Sequence, residues 1–597
     1  MGSLKSQASL RTLMLFRSTT TVEPKDLMNN ISGLRVLYLD NENLVELPDS
    51  ICRLKHLRYL CLSRTSISMI PQGIGDLKFL RALDLRGCTN ISQLPNSILK
   101  LRKLRSLNFR DTAITSVPRG FGKLEDLVRL LGFPTHSSDS TDVWCSLEEP
   151  GPLSKLEVLD IRDLEKAPSG STAAKAMLST SKHHLTTLYL IFTSKLGENG
   201  EVEDDIGEEE HERTEEVLAN LCPPTCTEIL DIRGYFARGL PQWMRTMSAF
   251  GSLRRLALDD YACCTQLPNG LGQLPILDYF WVTRAPSVQC VRHDFLHPSL
   301  CGEADGKDKG PRLPGTRNNN PRQPHRISRG AGVAFPKLTE LGFQGMLEWT
   351  EWEWEQHVPA MPALEVLVIN NCKLQRLSAG LAQHARRLRK LYLTNVQHLI
   401  SVENFPSLVN LWSYGNPRLE RISNNPSLQF IDISNCPALK EMDGLPSLRS
   451  LEWWDLGAEA LPQYLREANL KKLRVDCSRS LLKLIALQDE SSEWGKIKHV
   501  QQLKAYGHKT EEEEEEEPDQ SSQEDEEANE EEDNQLEEDE VEEDTIQSEE
   551  EEDADEEKNN QSEEDEEAEW YIYYTKEPYS FNAYLGESTG ITQECKE

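Results

Sequence analysis

Several features are missing from this 597-residue sequence, and each absence removes a class of function. No run of about 18 apolar residues occurs, so no membrane-spanning helix is expected. No apolar stretch near Met1 suits a secretory signal. The 14 cysteines are scattered and build no framework of close pairs. A reducing intracellular compartment follows, the cytoplasm first and the nucleus second. A phosphate-cradling loop needs G-x-x-x-x-G-K-[ST]. The Gly-Lys pairs at Gly122, Gly306 and Gly495 have Val117, Cys301 and Glu490 where the first glycine should stand, and none is followed by Ser or Thr. No G-x-S-x-G, H-E-x-x-H or kinase set is present either. Cys222-Pro-Pro-Thr-Cys226 and Cys263-Cys264 lack a partner pair at zinc spacing. No catalytic residue, cofactor or metal is therefore expected.

What is present is a repeat. Leu34, Leu37, Leu39, Leu44, Leu47, Pro48, Ile51 and Leu54 form one unit. The same pattern returns at Leu57, at Leu80 and at Leu104, with Pro71, Pro95 and Pro118 in the place of Pro48. A fifth start falls at Leu127, so the intervals are 23, 23, 24 and 23 residues. This is the period of a leucine-rich repeat. In Ala82-Leu83-Asp84-Leu85-Arg86 the leucines face inward, and Ala82, Asp84 and Arg86 face outward. One coil cannot bury its leucines alone, but stacked neighbours can. The prolines exclude the rival amphipathic helix.

The pattern continues less regularly from Leu153, Leu185, Leu253, Leu338, Leu364, Leu388, Leu408, Leu428, Leu448 and Leu470. Residues 10–16 read as an earlier coil. Fourteen to sixteen coils in two runs are expected, forming an α/β solenoid: a horseshoe with a parallel β-sheet on its concave face. Cys88, Cys372 and Cys436 follow their strands by three residues, as Thr65 and Thr112 do. They are read as turn residues bonding to backbone.

The net charge of −34 belongs to one segment. Residues 511–569 hold 37 of the 99 acidic residues and one of the 65 basic ones, leaving 62 acidic against 64 basic elsewhere. The organisation expected is regular repeats over 1–148, then irregular repeats over 149–300 carrying an acidic insert at 195–216. A basic disordered loop at 301–332 and C-terminal repeats over 333–509 follow. A disordered acidic tail at 510–569 and an aromatic segment at 570–597 complete it. The insert and the basic loop both read as mobile loops. The basic loop lacks interleaved aromatics, so nucleic acid is not an expected partner. Trp570-Tyr571-Ile572-Tyr573-Tyr574 could add a strand to an open edge of the solenoid, or stay exposed.

Three motifs accompany the Leu-Pro repeats: Leu240-Pro241-Gln242-Trp243-Met244; Phe335-Pro336-Lys337-Leu338-Thr339-Glu340-Leu341 with Trp349; and Trp494-Gly495-Lys496-Ile497-Lys498-His499-Val500. As a set, over residues 10–505, they resemble the repeat domain of plant nucleotide-binding leucine-rich-repeat (NBS-LRR) disease resistance proteins. The resemblance implies a non-catalytic recognition domain of an innate immune receptor. Its partners would be pathogen effectors, host guardees, or a separate nucleotide-binding module. The family's ATP/ADP site is absent from this chain. A second resemblance, carried by the tail, is to acidic-tailed histone-binding proteins and would imply a scaffold or chaperone. Alternation from the inward leucines places Tyr392, Trp412, Tyr414, Phe430 and Trp454 on the concave face, with Asp432, Glu452, Lys472, Arg474 and Asp476 beside them. These are the candidate partner-binding residues, with stacking along the sheet as the plainer role for the aromatics.

Overall fold

The computed structural model describes residues 10–16, 31–40, 44–136, 147–203, 206–296, 333–354, 358–487 and 493–508, with short stretches at 569–573, 582–586 and 592–593. The chain divides into a unit over Met1–Pro518 and a unit over Asp519–Glu597.

The first unit is built on one 19-stranded sheet. Its strands are β1 (Thr12–Phe16), β2 (Val36–Asp40), β3 (Tyr59–Cys61), β4 (Ala82–Asp84), β5 (Ser106–Asn108), β6 (Arg129–Pro134), β7 (Val158–Arg162), β8 (Thr187–Ile191), β9 (Ile229–Arg233) and β10 (Arg255–Asp259). The series goes on with β11 (Tyr279–Thr283), β12 (Glu340–Gln344), β13 (Val366–Cys372), β14 (Lys390–Val396), β15 (Asn410–Tyr414), β16 (Phe430–Ser434), β17 (Ser450–Asp455), β18 (Lys472–Ser478) and β19 (Gln502–His508). Every strand pairs in parallel with the next in sequence.

The expected inward column is present. Leu37, Leu60, Leu83 and Leu107 are register partners, and the column runs from Leu13 to Leu503 with Phe280 and Ile431 as its non-leucine members. Leu60, Leu83 and Leu107 are at most 1% exposed. Full burial of such a side chain contributes about 1.5–3 kcal/mol, which one isolated coil could not obtain.

The Leu-Pro elements lead into the outer side of each coil. Pro48, Pro71 and Pro95 precede 3-10 helices at Asp49–Arg53, Gln72–Asp76 and Asn96–Lys100. Each proline lends its carbonyl to the N–H three residues on, at 3.0 Å, and needs no N–H of its own. The turn residues Thr65, Cys88, Thr112 and Cys436 bond to backbone as expected. Thr65 Oγ1 and Cys88 Sγ both donate to Leu62 O, at 2.9 and 2.8 Å, and Thr112 Oγ1 donates to Phe109 O at 2.8 Å.

In β14 to β17 the strand starts are 20 residues apart, too short for an outer helix. A second parallel ladder takes its place: Ser401–Glu403, Arg421–Ser423 and Glu441–Asp443. Two buried asparagines close these tight coils. Asn416 donates to Leu393 O and accepts from Val396 N, both at 2.8 Å; Asn425 donates to Val402 O and accepts from Phe405 N at 3.0 and 2.9 Å.

Three expectations change. Among the described residues the array has 19 strands, more than expected because β9, β11 and β19 depart from the leucine pattern. Thr227 occupies the first leucine position before β9, β11 is the aromatic-rich Tyr279-Phe280-Trp281-Val282, and β19 has Ala505 for the second leucine. The insert at 195–216 is not a loop. Leu196 and Val202 form a bridge, and Glu208–Asn220 is a helix that buries His211, Thr214, Val217 and Leu218. Those residues share one helical face, and Glu208, Glu209 and Glu210 lie at its positive N-terminal end. The aromatic strand Glu569–Tyr573 pairs antiparallel with Asn582–Gly586, which pairs with Thr592–Gln593, all within the second unit. The basic loop at 301–332 and the tail at 510–568 lie outside the described residues.

Because Leu83 is a link in the column, Leu83→Ala should destabilise the array by about 2–5 kcal/mol, measured by chemical denaturation. An unchanged transition would contradict the register.

Candidate recognition surface

Outward positions of the last six strands fall into three columns. The middle one runs Tyr392, Trp412, Asp432, Glu452, Arg474 and Lys504. On one side lie Lys390, Asn410, Phe430, Ser450, Lys472 and Gln502, and on the other Thr394, Tyr414, Ser434, Trp454, Asp476 and Tyr506. All ten candidate residues therefore share one face, and parallel pairing at roughly 4.8 Å brings neighbours into contact.

They separate into two clusters. In the first, the Tyr392 and Trp412 rings stack with centroids 4.2 Å apart and planes 6° from parallel, and Phe430 tilts against Trp412 at 5.6 Å. The Tyr414 hydroxyl donates to Asp432 Oδ2 at 2.5 Å. In the second, Arg474 gives its Nε and Nη2 to Asp476, at 2.7 and 3.3 Å, and lies over the Tyr506 ring at 4.9 Å. His508 bonds the same Asp476 at 3.0 Å and stacks on Trp454. The stacking role expected for the aromatics is real for Tyr392 and Trp412. It leaves Trp454 37% and Tyr506 42% exposed. Tyr506 and His508 were missed from the sequence; Val500, Leu503 and Ala505, at the L-x-x-L-x-L spacing, were the signal that could have found them.

The middle of the array is finished differently. Arg110 pairs with Asp160 and lies over Tyr189 at 4.3 Å, Arg233 pairs with Asp231, and Arg284 pairs with Asp260. Tyr279 and Trp281 stack at 5.5 Å yet are each only 7% exposed. Trp281 lies flat over Gly342, where a Cβ would come within 2.3 Å of the ring.

Outside the sheet, Cys290, Glu351 and Glu353 bring three potential ligand atoms within 4.8 Å of one another, a group that sequence spacing had not indicated. Burial and the two carboxylates push the Cys290 thiol up to about 11, so it stays protonated at neutral pH.

Burial pushes the Asp432 carboxyl up to about 6, with Glu452 and Asp476 adding to the effect against the Tyr414 bond and Arg474. A carboxyl that binds its proton more tightly when folded stabilises the fold at acid pH, and that stabilisation is lost as pH rises from about 4 through 6. Asp432→Asn, which mimics the protonated acid, should therefore melt above the parent at pH 7 and converge with it by pH 4. Paired thermal melts across that range test this, and a pH-independent difference would contradict it.

The family model described as a leucine-rich repeat region matches residues 9–412. A putative disease resistance protein of Arabidopsis thaliana is 33% identical over 375 residues, 61% of this chain and 24% of the relative. The chain thus spans about a quarter of the length of that curated relative. Among solved structures, the functional domain of InlJ from Listeria monocytogenes, with its cysteine ladder, is 14% identical over 77% of this chain and 69% of that one, with a TM-score of 0.35. The plant peptide hormone receptor RGFR1 in complex with RGF2 is 14% identical over 84% and 95%, with a TM-score of 0.32. At those scores the fold rests on the strand register itself. Repeat spacing, the uninterrupted inward column and the matched family model agree: the chain belongs to the leucine-rich repeat family, and its array resembles that of a plant disease resistance protein.

Proposed function

We propose that this chain is the non-catalytic recognition module of a plant intracellular immune receptor, binding a pathogen effector or a host protein through its concave face. The observation that carries the reading is the aromatic and charged surface on β14 to β19, held on a rigid sheet and partly open to solvent. Exposed aromatics flanked by charge are the composition of interface hot spots. The likeness to a plant disease resistance protein supports the immune setting. A nucleotide-binding module on another polypeptide or segment is a further partner, and no nucleotide acts on these residues in this reading. Cytoplasm, or nucleus, is the proposed location. No helix among the described residues is long and apolar enough to cross a membrane.

The test is titration against a panel of pathogen effectors. For any binder, Trp412→Ala combined with Trp454→Ala should weaken affinity by more than about 2 kcal/mol while melting stays nearly unchanged. Binding should survive deletion of residues 510–597. If melting falls and affinity per folded molecule does not, the aromatics belong to the scaffold. Binding of histones through the tail, lost steeply with salt, would support the acidic scaffold instead.

A further inference from the structure

Resting on that reading, we infer that the concave surface seats an arginine side chain of the protein partner between Asp432 and Glu452, against the Trp412 ring. Asp432 and Glu452 are register partners on β16 and β17, so two carboxylates stand on adjacent strands. Neither has a cation within ion-pair distance among the described residues. Asp432 accepts a hydrogen bond from the neutral Tyr414 hydroxyl. Arg474, the register partner of Glu452, acts on both carboxylates through space, but its hydrogen bonds go to Asp476 and its plane lies over Tyr506. Lys472 and Lys504, on the last two strands, form no ion pair with either carboxylate.

The rest of the surface suits a flat cation. Trp412 precedes Asp432 in the middle column, with Phe430 beside it. Each carboxylate is flanked on its own strand by one aromatic and one serine: Asp432 by Phe430 and Ser434, Glu452 by Trp454 and Ser450. Two carboxylates thus lie beside aromatic rings on one face of the sheet. A guanidinium stacks on an indole face while its forked donors reach carboxylates, which an ammonium does less well. The mutual repulsion of Asp432 and Glu452, part of what pushes the Asp432 carboxyl up, would be relieved by such a cation. Two buried carboxylates in the middle of the array, Asp231 on β9 and Asp260 just past β10, already have their own arginines. Charge complementarity therefore points to one kind of occupant, a protein segment that presents arginine.

The experiment uses the full chain and three short labelled peptides of one sequence carrying two arginines, two lysines or two citrullines, titrated at moderate salt by fluorescence anisotropy. The acidic tail is common to every variant, so its contribution cancels in comparisons between variants. The parent should bind the arginine peptide more tightly than the other two. Asp432→Asn with Glu452→Gln, both isosteric, should weaken arginine binding by about tenfold or more and leave folding intact by thermal melting. Lys472→Gln with Lys504→Gln should not weaken it. Unchanged arginine affinity in the carboxylate variant overturns the seat, as does equal affinity of the parent for arginine and citrulline. Equal affinity for lysine overturns the guanidinium assignment. If the carboxylate variant is silent while Trp412→Ala with Trp454→Ala still loses an effector, the seat fails and the recognition surface stands. If both are silent, the concave-face reading fails as well.

Discussion

Everything in the solenoid depends on the parallel backbone ladder and the apolar column beneath it. Each strand pairs its peptide groups with the strands on either side, and each inward leucine is buried by the leucines above and below together with the apolar residues of the turns and outer side. This is a nearest-neighbour constraint, so it tolerates long excursions as long as the chain returns in register. Strand starts are 42 residues apart between β8 and β9 and 61 apart between β11 and β12, and both pairs still form. The first excursion is itself structured, since the helix Glu208–Asn220 covers core residues beside Phe236, whose carbonyl holds His211 Nδ1 at 2.7 Å.

The same constraint divides the labour of the side chains. Inward positions are spent on the column, so outward positions are free to vary. Through the middle of the array they are closed off by arginine–aspartate pairs, two of them between coils and one within β9, and by Trp281 folded onto Gly342. Towards β19 they carry stacked and exposed aromatics with carboxylates between them. Burial without full charge compensation is what moves the Asp432 carboxyl, and that same imbalance makes the surface receptive to a cation.

The closing coil shows how a motif becomes a cap. In Trp494-Gly495-Lys496-Ile497-Lys498-His499, Ile497 is buried, Lys496 Nζ donates to Leu461 O at 2.7 Å, and the His499 ring bonds Ala468 O at 2.8 Å. Carbonyls of the preceding coil, which would face an open end, are thereby satisfied. The cap orients β19, and so places Tyr506 and His508 at the edge of the recognition surface.

The sequence by itself determined the repeat, the facing of each strand and the shared face of Tyr392, Trp412, Asp432, Glu452 and Arg474, because side-chain alternation in a strand is a local property. It also determined the turn roles of Thr65, Cys88 and Thr112, which sit at a fixed offset from their leucines. It did not determine the number of coils, because Thr227, Phe280 and Ala505 fill core positions that composition alone does not mark. Nor did it determine the helix in the acidic insert, whose few buried groups gain their stability only from Phe236 and its neighbours. Which aromatics stack and which stay open was decided by tertiary register: Tyr392 and Trp412, 20 positions apart, and Asp476 and His508, 32 apart, meet only once the column has aligned their strands.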